Sequence, residues 1–401
     1  MTPLLTGIKV VDLTSVIMGP FATAQLGVLG ADVIKVEPLE GEPVRHIAPM
    51  KSPAMGAGYL NANRNKRSLS IDLKSAEGRA ALLRLIETAD VFVTNMRRQA
   101  LARLGLDKET LSASYPRLIH CTAVGFGRGG RYENDAAYDD VVQSLSGIAS
   151  VNAVEDGAPR FVPQILVDKL SAMFIVEGVL AALVHRERTG KAVPFEVPMM
   201  ETASYFLLTE HLQGQTYQPP IGPPGYARLM NPYRRPYRTK DGFVAVLPYN
   251  DKQWRNMLPL IEREDVLTED WFQSVTERSK RVRELYRMVD EAMPSRTTAE
   301  WLGLFRDADI PCGAVNSLET LFDDPHLAET GFYQDHAHPT EGDLRITRHP
   351  LAFDVESVPE GHAPSLGEQS REILSETGLT EAEIDAMVAA GTVRDGPSDL
   401  A

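Results

Sequence analysis

The sequence predicts an α/β protein, with a large Rossmann-like open-sheet domain and a smaller α+β domain. Three observations predict it. Short apolar runs alternate with helical patterns in the first part of the chain. A Pro/Gly-rich stretch, QGQTYQPPIGPPG (213–225), then interrupts the pattern. Beyond it the chain turns to a hairpin and charge-rich helices.

The elements follow in order. IKVVDL (8–13) is a short apolar run and reads as a buried strand. PFATAQLGVLG follows, with Phe21, Leu26 and Leu29 on one helical face, Pro20 in the first turn and Gly30 just past the last. ADVIKVE (31–37) is a second strand, so the three form a βαβ unit and imply a parallel sheet. SLSIDL (68–73) alternates, and SAEGRAALLRLIETA (75–89) is an amphipathic helix that opens on Ser75. DVFVTN and RLIHCTAVGF are further buried strands. Past the linker, RPYRTKDGFVAVLPY reads as a hairpin turning at Asp241-Gly242. Strands follow residue 331, and EAEIDAMVAAG (381–391) is a last helix.

The 401 residues carry a net charge of −14, which argues against a general nucleic-acid binder or a protein of anionic membranes. No apolar run approaches the roughly 20 residues of a membrane span. The start lacks the basic region and cleavage site of a signal peptide. Two cysteines, Cys121 and Cys312, form neither a disulfide framework nor a metal-type spacing, and each reads as a buried small hydrophobe. A cytoplasmic protein without a metal is the expectation.

Four stretches carry candidate chemistry. GFGRGG (125–130) satisfies G-x-G-x-x-G after a strand, but polar, turn-like RYENDAAYDD follows instead of a helix. A tight loop is therefore expected, not a dinucleotide site. No G-x-x-x-x-G-K-[ST] exists, so no ATP-driven step is visible. NRNKRS (63–68) brings Arg64, Lys66 and Arg67 together, either as a solvated loop or as an anchor for phosphates. Asp168 precedes Met173, Val176, Leu180 and Leu183 at helical spacing, with Gly190 ending the run. It reads as an N-cap, and the helix N-terminus would also keep a nucleophilic carboxylate ionised. Tyr138-Asp139 reads as a turn and second N-cap, or as a phenol pointing into the same cleft.

LTGIKVVDLTSVIMGPFATAQLGVLGADVIKVE, NRNKRSLSIDLKSAEGR, ADVFVTNMRRQALARLGLD, AYDDVVQSLSG and VDKLSAMFIVEGVLAALVHRERTGK stand in an order that resembles the class III CoA-transferase family, which includes the α-methylacyl-CoA racemases. DIPCGAVNS and SLGEQSREIL resemble its later blocks. The resemblance implies a large domain from residues 1–200 and a returning segment 331–401, a linker at 201–225, a small domain at 226–330, and an interlocked, obligate homodimer. It implies an acyl-CoA thioester and a free carboxylic acid as substrates, with no permanently bound cofactor.

It also implies roles. Asp168 stands where the transferases have a nucleophilic aspartate. Val16, Asn95, Met96, Arg103 and Met200 stand at CoA contacts, and Tyr59 and Tyr138 at acyl-pocket positions. Met96 replaces a common aromatic, and Pro38 stands where a basic residue often follows the VIKVE acid, so Arg64, Lys66 and Arg67 are expected to hold phosphates instead. Arg234 and Arg235, in NPYRRPYR, are candidates to hold the second carboxylate of a dicarboxylic acid. The rival reading is a racemase, which needs an acid-base pair. The family racemases have a histidine in the AYDD block, where this chain has Tyr138, and a phenol with a pKa near ~10 is a poor base at neutral pH. A third reading, CoA binding without catalysis, would suit loss of the aspartate.

Overall fold

The computed structural model describes residues 3–153, 157–354 and 361–396. Two compact units divide the chain: residues Met1–Ala149, Phe161–Leu207 and Gly331–Ala401 form the first, and Ser150–Arg160 with Leu208–Thr330 the second.

The first unit is built on six parallel strands: β1 (Lys9–Leu13), β2 (Asp32–Glu37), β3 (Lys66–Ser70), β4 (Val91–Thr94), β5 (Ile119–Val124) and β6 (Phe195–Pro198). Their order is β3-β2-β1-β4-β5-β6. The sheet grows outward from β1 in one direction and from β4 in the other, so the topology reverses between these two neighbours. Successive residues serve opposite faces. Val10 joins a core with the helices Met18–Val28 and Leu166–Thr189, while Val11 joins one with the helices Ala76–Glu87, Ser370–Glu376 and Glu381–Ala389. Both faces are covered, which is why β1, β4 and β5 are rich in apolar residues with no clear alternation.

Local signals in the sequence have local causes. Ser75 accepts from the Gly78 amide and caps its helix. Gly190 takes φ 74° and ends the Leu166–Thr189 helix in the left-handed conformation. That helix departs from expectation in its buried face. Val167, Ala172, Ile175, Val179 and Leu183 are buried, whereas Met173 is exposed. The helix is apolar on more than one side, so its periodicity does not single out a face.

The edge strand β3 is covered by the end of the chain. The Gln369 amide donates to Ser68 O at 3.1 Å, and the Arg394 amide to Ser70 O at 3.1 Å. The hairpin β10 (Tyr333–His338) and β11 (Gly342–Thr347) belongs to the same unit. No helix among the described residues is long and apolar enough to cross a membrane.

The second unit holds an antiparallel sheet of β7 (Tyr237–Arg238), β8 (Phe243–Val246) and β9 (Cys312–Ala314). The expected turn joins β7 to β8, closed by the Thr239 amide on Gly242 O at 2.9 Å. Trp254, Met257, Phe272, Tyr286, Trp301 and Phe305 form its core. Cys121 is buried as expected, but Cys312 is only half-buried.

Candidate active site

In a doubly wound sheet the crevice opens at the carboxyl ends of the strands where the order reverses. Here that is the end of β1 and β4. Asn95, just past β4, clasps the exit of β1: its Oδ1 accepts from the Ser15 amide at 3.0 Å, and its Nδ2 donates to Ser15 O at 2.8 Å. Two cavities meet at this clasp. One, of about 250 Å³, is lined by Ser15, Val16, Asn95, Met96, Tyr138 and Asp168. The other, of about 580 Å³, shares Ser15, Asn95 and Met96 and extends past Pro38, Lys74 and Arg103.

Asp168 is the third residue of its helix, not the cap, because the cap position belongs to Ile165. Its carboxylate lines the cavity and accepts no hydrogen bond among the described residues. A second acid stands beside it. The Asp139 Oδ2 accepts from the Asp168 amide at 2.9 Å, and Asp139 Oδ1 accepts from Gln143 Nε2 at 2.6 Å. Burial first, and the Asp139 carboxylate second, push the Asp168 carboxyl up to about 6. Asp168 stands in the first turn of its helix, and burial and the like charge raise its carboxyl while leaving it mostly ionised at neutral pH.

The glycine-rich stretch is a tight loop, as expected. A Cβ on Gly125 would stand 2.3 Å from the Ala137 Cβ, so only glycine lets the loop close there. Arg98 braces this loop. Its guanidinium pairs with Glu196 at 2.6 Å and donates to Phe126 O and Glu133 O, both at 2.9 Å.

The structure places the remaining candidates unevenly. Val16, Asn95, Met96, Arg103 and Tyr138 line the two cavities. Tyr138 is 70% exposed and stands at the start of the helix Asp139–Leu145, so Asp139 is the first helical residue there and not its cap. Met200 packs against the core, while its neighbour Met199 lines the cavity. Tyr59 is fully buried and donates to Pro364 O at 2.9 Å, so it is a core residue and not an acyl-pocket wall.

Lys66 is likewise corrected. Its ammonium is buried and spends its three donors on Asp12, Pro20 O and Asn63 at 2.8–2.9 Å. Arg67 pairs with Asp32, Glu372 and Glu376, and Arg64 donates to Thr347 O at 2.8 Å. Neither lines the cleft. Two residues were missed. Lys74 follows β3 at the carboxyl edge of the sheet and lines the larger cavity; asking which basic residues follow strand ends would have found it. Asp139 stood in the AYDD block, but nothing local announces its approach to Asp168. In the second unit, Arg235 pairs with Asp290 at 3.3 Å, whereas half-buried Arg234 makes no ion pair among the described residues and lines a shallow groove with Val246, Leu247 and Gly313.

A doubly wound fold with a ligand crevice at its switch point, and an acid on the crevice wall, defines a substrate-binding α/β enzyme. The chain matches the model of CoA-transferase family III over residues 5–370 and belongs to that family; it is a CoA-transferase. It is 31% identical over 393 residues to the succinate–glutarate CoA-transferase of Agrobacterium fabrum, covering 94% of this chain and 97% of that one. It is 28% identical over 395 residues to the succinyl-CoA:glutarate CoA-transferase of Mus musculus, covering 97% and 90%. Among solved structures, Rv3272 of Mycobacterium tuberculosis superposes with a TM-score of 0.80 at 28% identity, covering 92% of this chain and 99% of that one.

Proposed function

We propose that this enzyme moves CoA from an acyl-CoA thioester to a free carboxylic acid through covalent intermediates on Asp168. The observation that carries the reading is the Asp168 carboxylate itself, which accepts no hydrogen bond among the described residues and lines a cavity that adjoins a larger cleft. The larger cleft takes the nucleotide end of CoA, with Arg103 and Lys74 as its phosphate contacts. The smaller one takes the thioester. Met96 and Val16 pack on apolar parts of the substrate, and the exposed Tyr138 ring faces the acyl group.

A carboxyl group near 6 is mostly ionised at neutral pH, yet it is a stronger nucleophile than an ordinary aspartate. Its oxygen attacks the thioester carbonyl, the C–S bond breaks, and CoA leaves as thiolate. The product is a mixed anhydride. The thiolate attacks the aspartyl carbonyl, forming an aspartyl-CoA thioester and releasing the first acid as carboxylate. The acceptor carboxylate then attacks that thioester and the steps run in reverse, regenerating Asp168. One thioester replaces another, so the sequence needs no external energy source.

Two finer readings accompany this one. Arg234 holds the second carboxylate of a dicarboxylic acceptor; the printed names of the succinate- and glutarate-using relatives support it, and Arg234 makes no ion pair among the described residues. Arg234→Ala then weakens a dicarboxylate by about 10- to 100-fold and leaves a monocarboxylate unchanged; equal loss for both sinks this assignment. The chain also works as an interlocked homodimer. Exposed Met173, Val184, Tyr205 and Phe206 on the helices Leu166–Thr189 and Met199–His211 are the apolar surface a second copy would cover. Light scattering on diluted protein should find two chains, and a stable monomer refutes it.

The central test is mass spectrometry of the enzyme digested during turnover. CoA attached to the peptide that contains Asp168 is the expected result. Exchange at full rate in Asp168→Ala refutes the mechanism.

A further inference from the structure

Below the crevice lie six charged side chains almost wholly removed from water: Asp12, Glu37 and Glu42, with Lys35, Arg45 and Lys66. They form three pairs, Lys66 with Asp12 at 2.8 Å, Arg45 with Glu37 at 2.7 Å, and Lys35 with Glu42 at 3.1 Å. Pairing explains how each charge survives burial. It does not explain where the third pair points.

Both members of that pair reach the exit of β1. Lys35 Nζ donates to Thr14 O at 3.1 Å, and Glu42 Oε2 accepts from the Val16 amide at 2.7 Å. Val16 has φ 72°, a left-handed conformation that β-branched residues rarely adopt. Something must hold it there. The Glu42 carboxylate is the partner of its amide, and it is itself fixed by Lys35 and by its own amide on Glu37 Oε1 at 3.2 Å. Val16 and Ser15 line the same cavity as Asp168, and Ser15 is the residue clasped by Asn95.

We propose that Glu42 is a positioning residue for the CoA thioester: its carboxylate holds Val16 in the left-handed conformation and so keeps the β1 exit open to the substrate. This rests on the reading of the crevice as the CoA site. The buried charge cluster then has a second duty beyond its own neutrality, because it carries the rigidity of the strand ends into a loop that touches substrate.

Two substitutions separate positioning from charge balance. Glu42→Asp keeps the charge but withdraws it by one methylene. The attraction to the Lys35 ammonium falls off slowly with distance; the hydrogen bond to the Val16 amide is lost with the shift. Glu42→Gln keeps an acceptor of the right length but discards the charge. Positioning predicts that Glu42→Asp raises the KM for acyl-CoA about tenfold, the loss of one charge-assisted hydrogen bond, with kcat nearly unchanged. Glu42→Gln then keeps KM within about twofold while its melting temperature falls further than that of Glu42→Asp. If KM is unchanged in Glu42→Asp, or follows melting temperature across the two variants, the proposal is overturned.

Amide hydrogen exchange on the unmodified protein gives a second answer should either variant not fold. Val16 should exchange as slowly as β1, and exchange at the rate of open loops overturns the proposal. Titration of the unmodified protein with CoA separates the two levels of inference. Absence of binding sinks the CoA reading of the crevice. Equal CoA affinity in the unmodified protein and Glu42→Asp sinks only the role of Glu42.

Discussion

Asp12 and Asp168 are the same side chain in two sheltered places, and they titrate at opposite ends of the carboxylate range. Burial raises both. At Asp12 the ammonium groups of Lys66 and Lys35 overcome that rise and bring the group down to about 2. At Asp168 the nearest charge is another acid, Asp139, and the group rises to about 6. Burial alone therefore does not say what a carboxylate is for; the sign of its neighbour does. The first aspartate is spent on holding strand ends together. The second accepts no hydrogen bond among the described residues and lines a cavity, as the proposed nucleophile requires.

The contrast can be broken in several places. The largest effect belongs to Asp168→Ala, which should lower CoA exchange by about 10³-fold or more while leaving the protein folded. Initial rates and circular dichroism check both halves. Lys66→Met should do the reverse. It leaves Asp12 buried without its ion-pair partner, with only the Lys35 charge and the Thr14 and Thr23 hydroxyls to support it, so stability should drop by roughly 2–4 kcal/mol in denaturant melts. Whatever fraction remains folded should still transfer CoA.

Asp168→Asn tests the sign directly. The folded-state pKa of Asp168 lies above its unfolded value, so the group favours folding below the ordinary carboxylate range and loses that contribution as pH rises through about 6. The asparagine variant should therefore be more stable than the parent at pH 8, by about 1–3 kcal/mol, and the advantage should vanish near pH 3. An equal melting temperature at pH 8 would show that Asp168 is not strained by its site. For the same reason kcat/KM should fall on the acid side with an apparent pKa near 6. Asp139→Asn sharpens the comparison by the smallest step. It removes the like charge but not the burial, so that acid limb should move down by about half a pH unit to one unit.

Much of the fold was legible because its signals are local. A cap such as Ser75 and a terminator such as Gly190 act within a few residues. The apolar strands announced a sheet covered on both faces. The candidate site was legible only in part. NRNKRS reads as a cluster of cations because its residues are adjacent in sequence. In the fold β3 begins at Lys66, and the alternation of a strand sends Lys66 inward to Asp12 while Arg67 stays at the edge with Glu376. Lys66 meets Asp12 across 54 positions, and Asp168 meets Asp139 across 29. No periodicity carries such information. The rise of Asp168 comes first from its burial and second from that distant partner, and neither is written in the neighbouring residues.

The cover over β3 bears on how the chain is made. Ser68 receives the Gln369 amide and Ser70 that of Arg394, from residues some three hundred positions later. During synthesis the open edge of the sheet must wait for the last stretch to leave the ribosome, with its backbone groups free to meet a neighbouring nascent chain. A chain cut short before Gly367 would keep every strand of the sheet and still lack its selvedge. Its expected fate is edge-to-edge aggregation, although the proposed nucleophile and the crevice lie wholly upstream.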